Sequence, residues 1–201
     1  MAAISHDLRT PLTRLRLRIE PLPGQAAENA SADIREMDEL INASLAVMRE
    51  QSGGASRSLV DLPALLHSMV DDLQEQGQAV TMRDALDDER VSVRVHPASL
   101  QRTVGNLLTN ALRYGHRAQI RLALAEGEVA VQVEDEGPGI PTDQLEQVFQ
   151  PWVRLPGENR PSGSGLGLAI ARDLASRDGG SVTLSNRPGG GLRATLTLPT
   201  A

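Results

Sequence analysis

The sequence contains no cysteine, which excludes disulfides, thiolate zinc sites, iron–sulfur clusters and cysteine nucleophiles. Lysine is absent too, because all 20 basic residues are arginine. A Walker A loop ends in Gly-Lys-[Ser/Thr], and Ser/Thr/Tyr protein kinases use a strand lysine. Both are therefore excluded, and Schiff-base enzymes with them. Aromatic residues are confined to Tyr114, Phe149 and Trp152, so a core must be built from Leu, Val, Ile and Ala. No apolar run approaches the length that spans a bilayer, and nothing resembles a signal peptide. Positive charge is in deficit, with 26 acidic residues against 20 basic ones and a formal net charge of −6. That balance argues against general nucleic-acid or anionic-membrane binding.

What remains is a chain of 201 residues with 40% hydrophobic content, enough for one large domain or two small ones. Ile4, Leu8, Leu12, Leu15, Ile19 and Leu22 recur at spacings of three and four, which predicts an amphipathic helix. After a break at Pro21–Gly24, a second stripe runs through Ile34, Met37, Ile41, Leu45 and Met48. A helical hairpin of this kind is too thin to bury both stripes, and pairing two copies into a four-helix bundle solves the problem. A homodimer is the expectation. The chain starts abruptly inside the first helical pattern, as a fragment of a longer protein would.

Gln51–Ser56 reads as a flexible linker. Beyond it, helices and strands alternate. A strand near 58–60 precedes Asp61, a plausible N-cap for a helix carrying Leu62, Leu66, Met69 and Leu73. Strands near 79–82 and 91–95 flank a turn at Asp87-Asp88. A helix covers about 97–114, and a hairpin joins 120–124 to 129–133 across Glu126-Gly127. An irregular glycine-rich stretch from 135 to 165 leads to another helix, and strands near 181–185 and 192–198 close the chain. The expectation is an α+β protein. Its second part is an α/β sandwich, one mixed sheet covered by about three helices.

Four segments carry candidate chemistry. His6, in Ser5-His6-Asp7-Leu8-Arg9-Thr10-Pro11, falls about 160° from the leucine stripe on a helical wheel and faces away from it, with Thr10 one turn along. Asn106, Asn110 and Arg113 share about 60° of the next helix, opposite Leu100, Val104, Leu107 and Ala111. Asparagine oxygens suit Mg²⁺, and a neighbouring arginine suits phosphate. Asp135-Glu-Gly137-Pro-Gly139 follows a hydrophobic strand and sets a carboxylate beside backbone that a ligand can approach closely. Gly163-Ser-Gly165-Leu166-Gly167 runs into a helix, whose free N–H groups favour phosphate. Between the last two, Phe149-Gln-Pro-Trp152-Val-Arg154 forms an aromatic anchor ahead of a polar loop, as a nucleotide lid would need. Each segment also has a commonplace reading: a solvated histidine, a polar helix face, a simple turn, a flexible linker.

Taken in order, these segments resemble the H, N, G1, F and G2 boxes of sensor histidine kinases, and the likeness to the osmosensor group covers essentially the whole chain. The resemblance implies a dimerisation and phosphotransfer hairpin at 1–52, a linker at 53–56, and an ATP-binding domain of the gyrase, Hsp90, histidine kinase and MutL (GHKL) type at 57–201. It makes His6 the phosphoacceptor and Asp7 the acidic residue that orients or deprotonates it. Thr10 becomes the residue that positions water during regulator dephosphorylation. Asn110 and Asn106 become Mg²⁺ ligands, with Arg113 near phosphate and Tyr114 beside the nucleotide. Asp135 accepts the adenine amino group, while Gly137 and Gly139 admit the base. Gly163, Gly165, Leu166 and Gly167 serve the lid and the phosphates, with Arg154 a candidate for the γ-phosphate.

The implied cofactors are ATP and Mg²⁺. The implied partners are a second copy of the chain and the receiver domain of a response regulator. The implied location is the cytoplasmic side of a membrane-anchored bacterial sensor. His96-Pro97, Trp152 and Arg177-Asp178-Gly179-Gly180 depart from the family pattern, where an acidic residue, a phenylalanine and His-Gly-Gly are usual. Two other readings stay open: a GHKL ATPase without phosphotransfer, and a non-catalytic nucleotide-binding docking module.

Overall fold

A computed structural model describes residues 56–83, 91–155 and 165–201, and only scattered positions between 14 and 37 before them. The Asp87-Asp88 turn, Gly163, and His6 with Asp7 and Thr10 lie outside the described residues. Contacts divide the chain into an N-terminal unit that runs to Ser56 and a second unit that begins at Arg57. In the first, Arg14, Leu15, Leu17, Arg18 and Ile19 are helical, as are Ala27, Ala30, Ile34 and Met37. Ile34 is buried there, whereas Leu15, Leu17 and Met37 are exposed. Among the described residues, no helix is long and apolar enough to cross a membrane.

The second unit is an α/β sandwich. Its strands are β1 (Ser58–Asp61), β2 (Val80–Arg83), β3 (Ser92–Val95), β4 (Ala118–Ala125), β5 (Glu128–Asp135), β6 (Ser181–Asn186) and β7 (Leu192–Pro199). Its helices are α1 (Leu62–Glu75), α2 (Pro97–Gly115) and α3 (Gly167–Arg177). Five strands form the main sheet in the order β2-β4-β5-β7-β6. The β2–β4 pair is parallel and the rest are antiparallel, so the sheet is mixed.

Local chemistry explains the elements. Asp61 caps α1 by accepting a hydrogen bond from Ala64 N at 3.0 Å, and Pro63 sits where a missing N–H costs nothing. In α2 the buried residues Leu100, Val104, Leu107, Leu108 and Ala111 form one stripe. That helix ends at His116, held in the left-handed conformation with φ 58°. The β4–β5 hairpin turns at Glu126-Gly127, with Gly127 at φ 76°. Ile120, Leu122, Val129, Val131, Val133, Leu196 and Leu198 all face the helices and are buried. Phe149 is the only aromatic residue in this core, so branched aliphatics fill it as the composition requires.

The single sheet expected from sequence needs a correction. β1 and β3 form a separate two-stranded ribbon. Period-2 alternation shows which residues a strand buries but not which strand it pairs with. Here β3 takes β1 on one side. On the other it meets the C-terminus, through a Val93–Thr200 bridge and a 2.9 Å hydrogen bond from Ala201 N to Ser92 O.

Two of the sequence departures turn out to be one feature. His96, which caps α2, donates Nδ1–H to Asp178 Oδ1 at 2.6 Å, and Asp178 is buried at the end of α3. The His96 backbone N–H also reaches this carboxylate, at 3.2 Å. Arg57 lies 3.4 Å from Asp178 Oδ1 and donates to the Arg177 carbonyl. A buried carboxylate is thereby compensated from two elements.

Candidate functional site

Helix α2 carries the site along its length. Its C-terminal end meets the segment after β5 so closely that a Cβ at Gly115 would sit 2.6 Å from Asp135 Cβ and 2.8 Å from Glu136 N. Near its middle, Asn106 approaches the start of α3, where a Cβ at Gly167 would lie 4.0 Å from Asn106 Cγ. Gly115 lies nine residue steps beyond Asn106 along the helix, a rise of roughly 13 Å. That span suits a nucleotide with its base at Asp135 and its phosphates at Asn106. Asn110 and Arg113 lie between on the same face and, like Tyr114, are half-buried.

Asp135 is buried at the end of β5. Its Oδ1 accepts hydrogen bonds from Gly137 N at 2.8 Å and Leu192 N at 3.0 Å. Among the described residues nothing donates to Oδ2, so the carboxylate is held by one oxygen and leaves the other to accept from a ligand. Asn106 is a second such signal: its Nδ2 is buried and has no partner among the described residues, a state that costs about 1–3 kcal/mol unless a ligand or water relieves it. Gly139 adopts φ 70°, and Ile140 beside it is pinned by Asn186. The Asn186 side chain accepts from Ile140 N at 2.9 Å and donates to Ile140 O at 2.6 Å.

The aromatic segment joins the glycine loop. Trp152 N donates to Gly165 O at 3.2 Å, and Trp152 is exposed and held at φ 71°. This is a strained conformation for a bulky residue. From α3, Arg172 stacks on Phe149 with its guanidinium carbon 3.2 Å from the ring centroid. It also donates to both Glu146 oxygens, at 2.8 and 3.1 Å. These hydrogen bonds, and secondarily the Arg172 charge, hold the Glu146 carboxyl below the usual range despite some desolvation acting the other way. A depressed carboxylate contributes stability above its unfolded pKa and loses it as pH falls. Glu146→Gln should therefore lower the thermal midpoint slightly at neutral pH, and the difference should fade as pH falls below the ordinary glutamate range and through the lowered carboxyl pKa. Melting curves of both proteins across that range check this.

Thus Asn106, Asn110, Arg113, Tyr114, Asp135, Gly137, Gly139, Gly165, Leu166 and Gly167 lie on segments that the fold joins around α2. Arg154 is exposed and makes no hydrogen bond or ion pair among the described residues. Sequence reading found the two strands of the β6–β7 hairpin but missed Arg172 and the hairpin's role, in which Asn186, Arg187 and Leu192 brace the Asp135–Ile140 segment. The run Gly189-Gly190-Gly191 was the available signal, since a glycine run between two strands marks close backbone approach. The residues present fit ATP with Mg²⁺. They offer an open carboxylate oxygen at one end and, at the other, Asn106 beside a helix N-terminus with Asn110 one helical turn along the same face.

The model of the family described as histidine kinase-, DNA gyrase B-, and HSP90-like ATPase matches residues 75–201. The chain is 41% identical to the sensor histidine kinase GtrS of Pseudomonas aeruginosa over 98% of its own length. It is 36% identical to the sensor protein RstB of Escherichia coli, also over 98% of its length. It spans 41% and 47% of those two proteins. Among solved structures, the kinase domain of the E. coli osmosensor EnvZ matches with a TM-score of 0.57 at 30% identity, covering 74% of this chain and 91% of that one. Full-length ShkA in complex with AMPPNP matches with a TM-score of 0.68 at 25% identity, covering all of this chain and 45% of that one. The chain therefore belongs to the histidine kinase-, DNA gyrase B-, and HSP90-like ATPase family, within which it is similar to the catalytic regions of sensor histidine kinases.

Proposed function

We propose that this chain binds ATP in the 57–201 unit and transfers its γ-phosphoryl group to His6 on a dimeric helical hairpin at 1–52. The observation that carries the ATP reading is Asp135, with Oδ1 locked by two backbone N–H groups and Oδ2 open for an adenine amino group. The AMPPNP bound to ShkA, a related protein, supports the same reading. Asn106 and Asn110 would offer oxygens to Mg²⁺, with phosphate and water completing its shell. When bound, that ion neutralises charge on the phosphates. Arg113, and the N–H groups of Gly165, Leu166 and Gly167 leading into α3, would hold the phosphates, and the family resemblance adds Gly163 to them.

In the transfer step a neutral imidazole nitrogen of His6 forms the new N–P bond while the bond between Pγ and the bridging oxygen breaks. ADP departs, and Asp7 takes up the ring proton. The phosphoryl group then passes to an aspartate of a response regulator, and Thr10 positions water when the protein dephosphorylates that regulator. The alignment with GtrS and RstB over 98% of the chain supports a shared phosphotransfer segment.

The test is incubation with γ-labelled ATP and Mg²⁺, comparing the wild type with His6→Gln. Acid-labile, alkali-stable label is expected on the wild type and at least about 100-fold less on the variant, because no other group accepts the phosphoryl. Equal ATP hydrolysis by both proteins with label on neither would instead support a GHKL ATPase, and ATP binding with neither hydrolysis nor label a nucleotide-binding docking module.

A further inference from the structure

Glu134 precedes Asp135 on β5, so the two side chains leave opposite faces of the sheet. Glu134 is 2% exposed and lies directly across the ladder from Arg193. Arg193 holds Glu134 Oε1 through Nε at 2.7 Å and Nη2 at 2.6 Å. Arg121 stands 3.8 Å from Oε2. A third guanidinium, that of Arg187, also approaches Oε2, with Nε at 3.5 Å.

Two arginines already compensate this buried carboxylate, so charge balance does not account for Arg187. Its shorter contact lies elsewhere: Nη1 donates to the Asp135 carbonyl oxygen at 2.6 Å. The β5–β7 ladder ends at Glu134, and that carbonyl stands one residue beyond its last rung. Without Arg187 it would lose its donor, and the peptide between Asp135 and Glu136 would be free to rotate. That rotation would disturb the turn in which Gly137 N bonds Asp135 Oδ1.

We infer that Arg187 is a positioning residue for nucleobase recognition, acting through Asp135 and not on the base itself. It ties the Asp135 backbone to the ion cluster behind the sheet, so that Oδ2 stays aimed at the amino group of adenine. The inference rests on the reading of Asp135 as the base acceptor. It makes selectivity for adenine over guanine depend on a side chain outside every recognised motif.

The test uses the full 201-residue chain and calorimetric titration with ATP and GTP. Arg187→Met keeps the aliphatic stem and removes the donors. It is expected to raise the ATP Kd about tenfold and to lower the ATP-over-GTP preference by a similar factor, the equivalent of one charge-assisted hydrogen bond. Arg187→Lys, which restores one donor, should recover part of both. Arg193→Met disturbs the same cluster without touching Asp135. It should lower the melting temperature while leaving the preference within about twofold of wild type.

An unchanged ATP Kd in Arg187→Met, or an equal loss of preference in Arg193→Met, overturns the positioning role. Asp135→Asn is run alongside. If it too leaves ATP binding unchanged, the reading of Asp135 fails and takes the inference with it. If only Asp135→Asn weakens binding, the positioning role alone is wrong.

Discussion

Asp135→Asn is expected to weaken ATP binding by about 100-fold while leaving the fold nearly as stable as before. In the wild type, Oδ1 accepts from Gly137 N and Leu192 N. The Leu192 N–H is buried, so an asparagine must keep its oxygen on these donors or orphan one of them. Its amide nitrogen then occupies the place of Oδ2 and presents N–H to the amino group of the base. One acceptor is lost and two donors are set against each other, a penalty on the order of 3 kcal/mol. The melting temperature should move little because both backbone donors keep an acceptor. Calorimetric titration with ATP and with ADP checks the result. An ATP Kd within about threefold of wild type would falsify the assignment of Asp135 to the base.

Gly191→Ala should do damage of a different kind, lowering stability by about 3–5 kcal/mol and abolishing ATP binding with it. Gly191 adopts φ 90°, which an L side chain rarely tolerates. A Cβ there would also overlap the Asp135 carbonyl oxygen, the same atom that Arg187 holds. Neither neighbour can yield cheaply, since the obstacle is backbone at the end of a core strand. The hairpin must move away from β5, and Leu192 N then leaves Asp135 Oδ1. Urea denaturation of both proteins measures the loss. Gly189→Ala is the control, because a Cβ at Gly189 meets nothing within 4 Å, and it should be close to silent. Equal midpoints for Gly191→Ala and wild type would refute the close approach.

The β6–β7 hairpin also shows where sequence reading stopped. Its strands were legible from the alternation in 181–185 and 192–198. Its task was not, because Asn186 and Arg187 act on residues about fifty positions away. No period in a single sequence reports a contact across that separation. His96 and Asp178 are a similar case. Read singly, each was a departure from a family pattern; folded, they stand 2.6 Å apart and compensate one another. Arg172 was overlooked for a simpler reason, since an arginine on an exposed helix position is commonplace until Phe149 and Glu146 are found beneath it.

By itself, the sequence determined what depends on neighbours along the chain. The stripe of Leu100, Val104, Leu107 and Ala111 dictates which face of α2 is buried and, by exclusion, that Asn106, Asn110 and Arg113 share the other. Asp61 and Pro97 mark helix starts, and Glu126-Gly127 marks a hairpin. The order of the segments identified the family, because motif spacing survives in a linear string. Tertiary structure decided the rest: that β1 pairs with β3 and not with the main sheet, and that β2 joins β4 in parallel. It also decided that one aspartate oxygen is locked while the other stays open. Those outcomes depend on which distant groups reach a given donor or acceptor first, and only the packed core sets those distances.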